Sequence, residues 1–297
     1  MVSKKLLFIY NPHAGKELIK NKISDIVQIF SKEGYDITIY PTRERQDATK
    51  RILRDGEKYN LVVCSGGDGT LNESVEGLMK LDISPSCGYI PAGTVNDFAS
   101  SLKIPKNMIK AAETVVYGEP YACDIGSCNE KYFTYFAGFG AFTEVSYDTP
   151  QAYKNLLGKM AYILEGMKRV SNIQSYHAMI EYDGWKIEDD FIFVMITNSH
   201  SVAGVKGFYG KKVKLDDGLF EILLIKMPKN ILDLPTIMNA IIAKEPNEYM
   251  HFFRTDHIKI KSETTIPWTL DGEFGGDLTE AEIWNHNKAL SILVPRI

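Results

Sequence analysis

Residues 60–78 read NLVVCSGGDGTLNESVEGL: an apolar run that turns at Ser65-Gly66-Gly67-Asp68-Gly69-Thr70 into a segment of helical composition. The run predicts a strand, the small residues a loop, and the segment opening near Leu71 a helix. Three glycines within four positions let a backbone pass close to a ligand, and the free N–H groups of the following helix favour an anion. The pattern is not a Walker loop, because no G-x-x-x-x-G-K-[ST] occurs. Nor is it the dinucleotide fingerprint, since Gly67-Asp68-Gly69 lacks a third glycine three residues on. Asp68 would repel a phosphate unless a divalent cation lay between them, which points to a metal-nucleotide complex. The plainer reading of the same fragment is a tight turn closed by an Asx bond.

The pattern repeats on either side. LLFIY (6–10), DITIY (36–40) and CGYI (87–90) read as further strands, and the spacing of Ile19, Ile23, Ile26, Val27 and Phe30 predicts a helix face, as does DATKRILRD (47–55). Strands alternating with helices predict a parallel sheet, which binds ligands beyond the carboxyl ends of its strands. Two more small-residue loops fall at such ends, Asn11-Pro12-His13-Ala14-Gly15 and Pro91-Ala92-Gly93-Thr94-Val95-Asn96-Asp97, with Thr42 placed to join them. After residue 125 the texture becomes β-rich: 131–142, 175–198, 219–225, 257–262, 265–273 and 289–294 read as strands, with Asp183-Gly184 as a hairpin turn and helices near 151–170 and 229–244. The expectation is an α/β plus β protein. An amino-terminal doubly wound parallel-sheet nucleotide-binding domain would span 1–128, and a mainly antiparallel β-sandwich 129–297, its last strands returning to the first domain.

Composition bounds the partners. The chain has 297 residues, 44% of them apolar, and 34 Lys+Arg against 38 Asp+Glu, for a formal charge of -4. That is enough apolar material for two cores at ~150 residues each, and too little positive charge for a protein that binds nucleic acid by broad phosphate neutralisation. The four cysteines, at 64, 87, 123 and 128, show no zinc spacing and read as buried reduced thiols of a cytoplasmic protein. The amino-terminal apolar run is too short for a signal peptide, and no run approaches the ~20 residues a spanning helix needs. Membrane contact is therefore expected to be peripheral.

GGDGTLNE (66–73), the N-P-x-x-G loop and PAGTVNDFA (91–99) together resemble the diacylglycerol kinase catalytic family of lipid kinases, in its bacterial soluble branch, along essentially the whole chain. The GGDGT loop alone is shared with NAD kinases; PAGTVNDFA is more specific. The later T-P-T-G-S-T-A-Y segment of NAD kinases is not supplied by Thr149-Pro150-Gln151-Ala152-Tyr153.

The resemblance implies ATP and Mg2+ as cofactors and transfer of the γ-phosphoryl group to a lipid hydroxyl, diacylglycerol to phosphatidic acid in the first instance. It places the nucleotide at Asn11, Gly15, Thr42, Gly66, Gly67, Asp68, Gly69, Thr70, Thr94 and Asn96. It gathers Asp68, Asp97 and Asp124 around magnesium, and puts a second, structural metal at Asp217, with carbonyl oxygens of Lys214 and Leu219. It makes Glu273 of Asp271-Gly272-Glu273 the base, beside Asp271 and Asp68 as catalytic partners. Read without the family, DGEFGGD is a solvated hairpin turn and Asp216-Asp217-Gly218 an ordinary acidic turn.

The apolar stripe Leu156, Leu157, Met160, Ile163, Leu164, Met167 and Val170 reads as a core-facing helix. Lys206, Lys211, Lys212 and Lys214, with Phe208 and Tyr209 between them, suit an anionic membrane surface. No histidine is assigned to catalysis. Which lipid is used stays open, as does self-association as a homodimer through a β edge. NAD kinase-like phosphorylation of a soluble substrate and a non-catalytic nucleotide- or lipid-binding regulator are the alternatives.

Overall fold

The structure, a computed structural model, describes residues 4–140, 174–199, 201–202, 205–206, 213–230, 233–243, 245 and 247–296. The stripe expected to be helical at 151–170 lies outside the described residues, as do 149–153, Phe208, Tyr209, Lys211 and Lys212. The chain divides into two compact units, Met1–Ile125 with Lys288–Ile297, and Gly126–Asn287.

In the first unit β1 (Lys4–Tyr10), β2 (Tyr35–Pro41), β3 (Leu61–Gly66) and β4 (Ser86–Pro91) form a parallel sheet in the order β4-β3-β1-β2. Leu6 to Ile9 and Val62 to Cys64 are fully buried, the unbroken apolar run expected of strands covered on both faces. The edge strand β2 is instead partly exposed along its length. α1 (Ile23–Lys32) buries Ile26 and Phe30 one turn apart, and Phe30 meets Phe8 edge-on at 6.0 Å. α2 (Asp47–Asp55) buries Ala48 and Ile52, and α3 (Asp68–Met79) buries Leu71, Val75 and Leu78. The final residues of the chain return to this sheet, where Ile292 lies parallel to Cys87 of β4. α4 (Asp97–Ser101) and α5 (Met108–Tyr117) were not expected from periodicity. Asn107 caps α5, its side chain accepting from the amides of Ile109 and Lys110 at 3.0 and 3.1 Å.

Register sets where the loops emerge. Tyr10 pairs with Ser65 and with Pro41, and Gly66 pairs with Pro91, so the carboxyl ends of all four strands are level. The segments starting at Asn11, Thr42, Gly67 and Ala92 therefore leave from one edge.

The second unit is antiparallel in every described pairing. β5 (Glu119–Cys128) enters it and pairs with β6 (Lys131–Phe133). β7 (Phe136–Gly140), β8 (Tyr176–Tyr182), β9 (Trp185–Thr197), the two-residue strands β10 (Ser201–Val202) and β11 (Val205–Lys206), β12 (Phe220–Lys226), α6 (Leu234–Ala243), β13 (Met250–Thr255), β14 (His257–Leu270) and β15 (Glu273–Val294) follow. Fully buried Trp268 meets Phe139 edge-on at 5.1 Å, and Phe133 stacks on Phe220 at 5.6 Å. Two expected elements merge, and a third is longer than expected. The segment 257–262 and the part of 265–273 up to Leu270 are one strand, β14, whose pairing shifts between Lys261 and Ile266; residues 271–272 are a turn and Glu273 starts β15. The strand expected at 289–294 is the end of the 22-residue β15. The earlier part of β15 escaped notice because Ala281 and Ile283 face inward while Glu280 and Trp284 are exposed, too few apolar residues to read as a run.

Candidate active site

The loops of the first unit meet through bare backbone. The carbonyl of Gly66 accepts from the amides of Ala92 at 2.8 Å and Gly93 at 3.2 Å. A Cβ on Gly93 would lie 2.5 Å from the Cα of Gly67 and 2.8 Å from Oδ1 of Asn96, so any larger residue forces these loops apart. Gly15, at φ +56, abuts the carbonyl oxygen of Ala92 in the same way. The first loop is tied in by Asn11, whose amide donates to the carbonyl of Ser65 at 2.8 Å and whose Nδ2 donates to Oγ1 of Thr70 at 3.4 Å. Thr42 donates its amide to the carbonyl of Tyr10 at 2.9 Å.

The glycine loop is shorter than its composition suggested, because α3 begins at Asp68 and takes in Gly69 and Thr70. Gly67 is the extended residue before the helix and accepts from Leu71. The first-turn amides of α3, which have no partner within the helix, thus open directly behind the Gly67–Gly93 contact. A cradle of small residues ending on a helix amino terminus suits a phosphate chain.

Asp68 and Asn96 hold this cradle in shape. Asn96 is left-handed (φ 57, ψ 54) and donates its amide to Oδ2 of Asp68 at 3.0 Å. Its side chain brackets Gly93, Nδ2 donating to the carbonyl at 2.8 Å and Oδ1 accepting from the amide at 3.1 Å. Thr94, between them, is exposed. Asp97 has a buried Oδ2 without a hydrogen-bond partner; burial pushes its carboxyl above the usual range, with the charge of Lys106 opposing. Such an oxygen fits a cation. The three-carboxylate cluster is not formed, however: among the described residues no three His, Cys, Asp or Glu side chains gather to hold a metal. Asp124 is fully buried in β5 and spends Oδ1 on the amide of left-handed Lys288 at 2.7 Å.

Two supports were missed by sequence reasoning. Glu73 accepts from the amide of Gln46 at 2.8 Å and its carbonyl accepts from Oγ1 of Thr49 at 2.7 Å, so a residue of α3 caps α2 and fixes the segment that begins at Thr42. Burial raises the Glu73 carboxyl, and the amides of Gln46 and Ala48 pull it back. Glu73 does lie in the GGDGTLNE stretch, but nothing in its spacing points at α2. The other is Tyr89, fully buried beneath the loops.

In the second unit Asp271-Gly272 is a two-residue turn joining β14 to β15, with φ of 48 and 84, so the stretch does form a hairpin. The turn is shorter than DGEFGGD, since residues 273–277 belong to β15, and its Asp271 is buried rather than solvated. The turn is also anchored. The Asp271 carboxylate is buried and accepts from the amides of Thr134 at 2.6 Å, Tyr135 at 3.0 Å and Phe136 at 3.0 Å, and from Oγ1 of Thr134 at 2.9 Å. Burial raises its carboxyl and these donors oppose the rise. Glu273 follows as the exposed first residue of β15.

At the second expected metal position, Asp217 is already engaged within the protein. Oδ2 of Asp217 is paired with the Arg254 guanidinium at 2.6 Å and Oδ1 accepts from the Leu219 amide at 3.3 Å. Arg254 also reaches Oε1 of buried Glu221 at 3.1 Å; burial pushes that carboxyl up to about 8, with the Arg254 charge opposing the rise. Lys214 is exposed.

Two family models match the chain: the diacylglycerol kinase catalytic domain over residues 5–128, and the YegS C-terminal NAD kinase beta sandwich-like domain over residues 137–294. The diacylglycerol kinase of Bacillus subtilis (strain 168) is 33% identical over 297 residues, covering 99% of this chain and 97% of the relative. The chain belongs to the diacylglycerol kinase family. The diacylglycerol kinase of Staphylococcus aureus (strain Newman) is likewise 33% identical, over 98% of this chain and 93% of the relative. A crystal structure of a diacylglycerol kinase from Bacillus anthracis str. Sterne superposes with a TM-score of 0.75 at 26% identity, over 99% of this chain and 98% of that one. The chain is thus an enzyme of the lipid kinase class, and kinase membership implies ATP as phosphoryl donor. No described helix is long and apolar enough to cross a membrane.

Proposed function

We propose that this chain transfers the γ-phosphoryl group of Mg-ATP to the free hydroxyl of a lipid alcohol, with diacylglycerol as substrate and phosphatidic acid as product. The observation that carries the proposal is the backbone-to-backbone packing of the loops at Gly15, Gly67 and Gly93 against the amino terminus of α3. Phosphoryl transfer passes through a loose transition state, so catalysis consists mainly of holding the phosphates and neutralising them. The amides behind Gly67 would hold the phosphate oxygens, and Asn11 and Thr70 would fix the loop that closes over them. Asp68 and Asp97 would hold magnesium, which supplies positive charge to the phosphate oxygens when bound.

In this reading the lipid oxygen bonds to the γ-phosphorus as the bond from that phosphorus to the β–γ bridging oxygen breaks, and ADP leaves. The Glu273 carboxylate accepts the hydroxyl proton late in that step. Asp271 acts through position: its grip on residues 134–136 fixes the turn from which Glu273 projects. The lipid would be met by peripheral contact of a cytoplasmic protein with the membrane surface.

The test is incubation of the purified chain with labelled ATP and a panel of diacylglycerol, phosphatidylglycerol, a sphingoid base and a prenyl alcohol in mixed micelles, with NAD in parallel. Label in diacylglycerol alone is the expected result. Label in another lipid moves the substrate, label in NAD replaces the lipid reading, and binding of ATP without turnover leaves a regulator.

A further inference from the structure

Tyr89 lies in β4 two residues before the Pro91–Asn96 loop and pairs across the sheet with Cys64, the residue before Ser65-Gly66. Its ring is 1% exposed. Its hydroxyl stands 3.2 Å from the carbonyl oxygen of Gly66 and 3.2 Å from Oδ1 of Asn96. Both of those atoms are acceptors. The orientation of the Asn96 amide is set independently by its two bonds to Gly93, so the oxygen is the atom that faces Tyr89. The phenol must therefore be the donor, sharing one proton between the two loops. Burial pushes it well above the usual phenol range, and the negative charge of Asp68 adds to the rise, so the proton stays.

The two acceptors are the points from which the cradle is hung. Gly66 ends β3, and its peptide directs the chain into Gly67 and the first turn of α3. Asn96 carries the left-handed bend whose amide engages Asp68. A chain of contacts thus runs Gly66, Tyr89, Asn96, Asp68, joining the loop that would meet the phosphates to the loop opposite. We infer that the Tyr89 hydroxyl is a positioning latch that sets the spacing of the glycine loop and the Pro91–Asn96 loop, and through it the affinity for Mg-ATP. This inference rests on the nucleotide-binding part of the proposed function and is independent of which lipid is used.

Tyr89→Phe isolates the latch, because phenylalanine fills the same buried space. In its absence Gly66 keeps its two amide donors and Asn96 keeps Gly93, so the loops form but their spacing is less constrained. Tyr117→Phe is the control for loss of a tyrosine hydroxyl in the same unit, one that bonds Glu33 at the surface at 2.7 Å. The full chain, the two single variants, Asn96→Ala and the double variant Tyr89→Phe/Asn96→Ala are titrated with Mg-ATP by calorimetry without lipid. Hydrogen exchange of the ligand-free proteins is followed over 91–97.

In Tyr89→Phe the dissociation constant and the KM for ATP rise about three- to tenfold, the worth of one neutral hydrogen bond. The KM for lipid and kcat change less than about twofold, exchange at Gly93 and Asn96 quickens, and Tyr117→Phe matches the parent. The Tyr89→Phe effect shrinks in the Asn96→Ala background, since the latch acts through Asn96. An unchanged dissociation constant with unchanged exchange overturns the latch. So does a lowered melting temperature with unchanged ATP affinity, which marks a packing role. A parent chain that binds Mg-ATP but labels no lipid defeats the lipid reading alone. One that binds no Mg-ATP defeats both.

Discussion

Two acidic residues two positions apart in the DGE turn do different physical work. Asp271 takes in three amides and a hydroxyl at a buried site, more donors than an asparagine oxygen can serve without turning its own NH2 towards an amide. Asp271→Asn is therefore expected to destabilise the fold by about 2–4 kcal/mol, from charge-assisted bonds lost and a donor left facing donors. Urea denaturation checks this, and a midpoint equal to the parent's would show that the carboxylate is not holding residues 134–136. Glu273 is exposed, so Glu273→Gln should leave stability within about 0.5 kcal/mol. Its kcat should fall by roughly 10²–10⁴, the usual worth of a general base, with Mg-ATP affinity intact. Steady-state rates and calorimetry on the same preparation separate the two effects.

At the scale of elements the site is made by strand ends that finish level, and by glycines that let the loops after them touch. Gly93→Ala puts a methyl 2.5 Å from backbone that cannot swing aside, so the Pro91–Asn96 loop must move off the α3 amino terminus. Mg-ATP affinity should fall about tenfold or more, read by titration. Gly34→Ala is the counterpart: at φ +79, with open space around it, the substitution costs about 1 kcal/mol of backbone strain and leaves ATP affinity as it was. Equal binding by the Gly93 variant would mean that the loops do not meet on the nucleotide. The helices and strands of this unit were largely legible. α2 was expected at 47–55 and forms at Asp47–Asp55, because its polar amphipathic spacing suffices to mark it. β5 and the first part of β15 were not legible: cysteines, acids, a proline and a glycine make up much of β5, and in β15 before residue 289 the few apolar residues are scattered among acids and glycines.

For the molecule as a whole, stability should decline on the acid side of neutrality. His251 and His286 are half-buried, and burial holds both imidazoles below the ordinary range, Lys226 adding to the effect on His251 while Asp189 opposes it. Unfolded histidine titrates near 6.5, so on acidification the unfolded chain takes up protons first. The stability these residues contribute is complete above that value and is lost as pH falls through it towards the folded values. Exposed His177 works the other way, raised by its bond to Asp190, and its surface position makes its share small. Replacing His251 and His286 with Asn should flatten the dependence of the urea midpoint between about pH 6.5 and 5. A slope identical to the parent's would assign the acid lability to other groups.

The sequence by itself determined the family, the parallel-sheet character of the first unit and the set of loops that carry its small residues. It could do so because strands buried on both faces read as apolar runs, and because close approach of backbone can be written only with glycine. Tertiary structure decided what each polar residue near those loops does. Tyr89 reads as one more core aromatic in CGYI, Glu73 as one more helix acid, and Asp124 as a candidate for magnesium. Only folding brings a phenol under two loops, a carboxylate onto the start of another helix, and a third acid against the amide of a residue 164 positions along the chain. Hydrogen-bond partners far apart in sequence leave no local pattern, so their roles become visible only once the strands are in register.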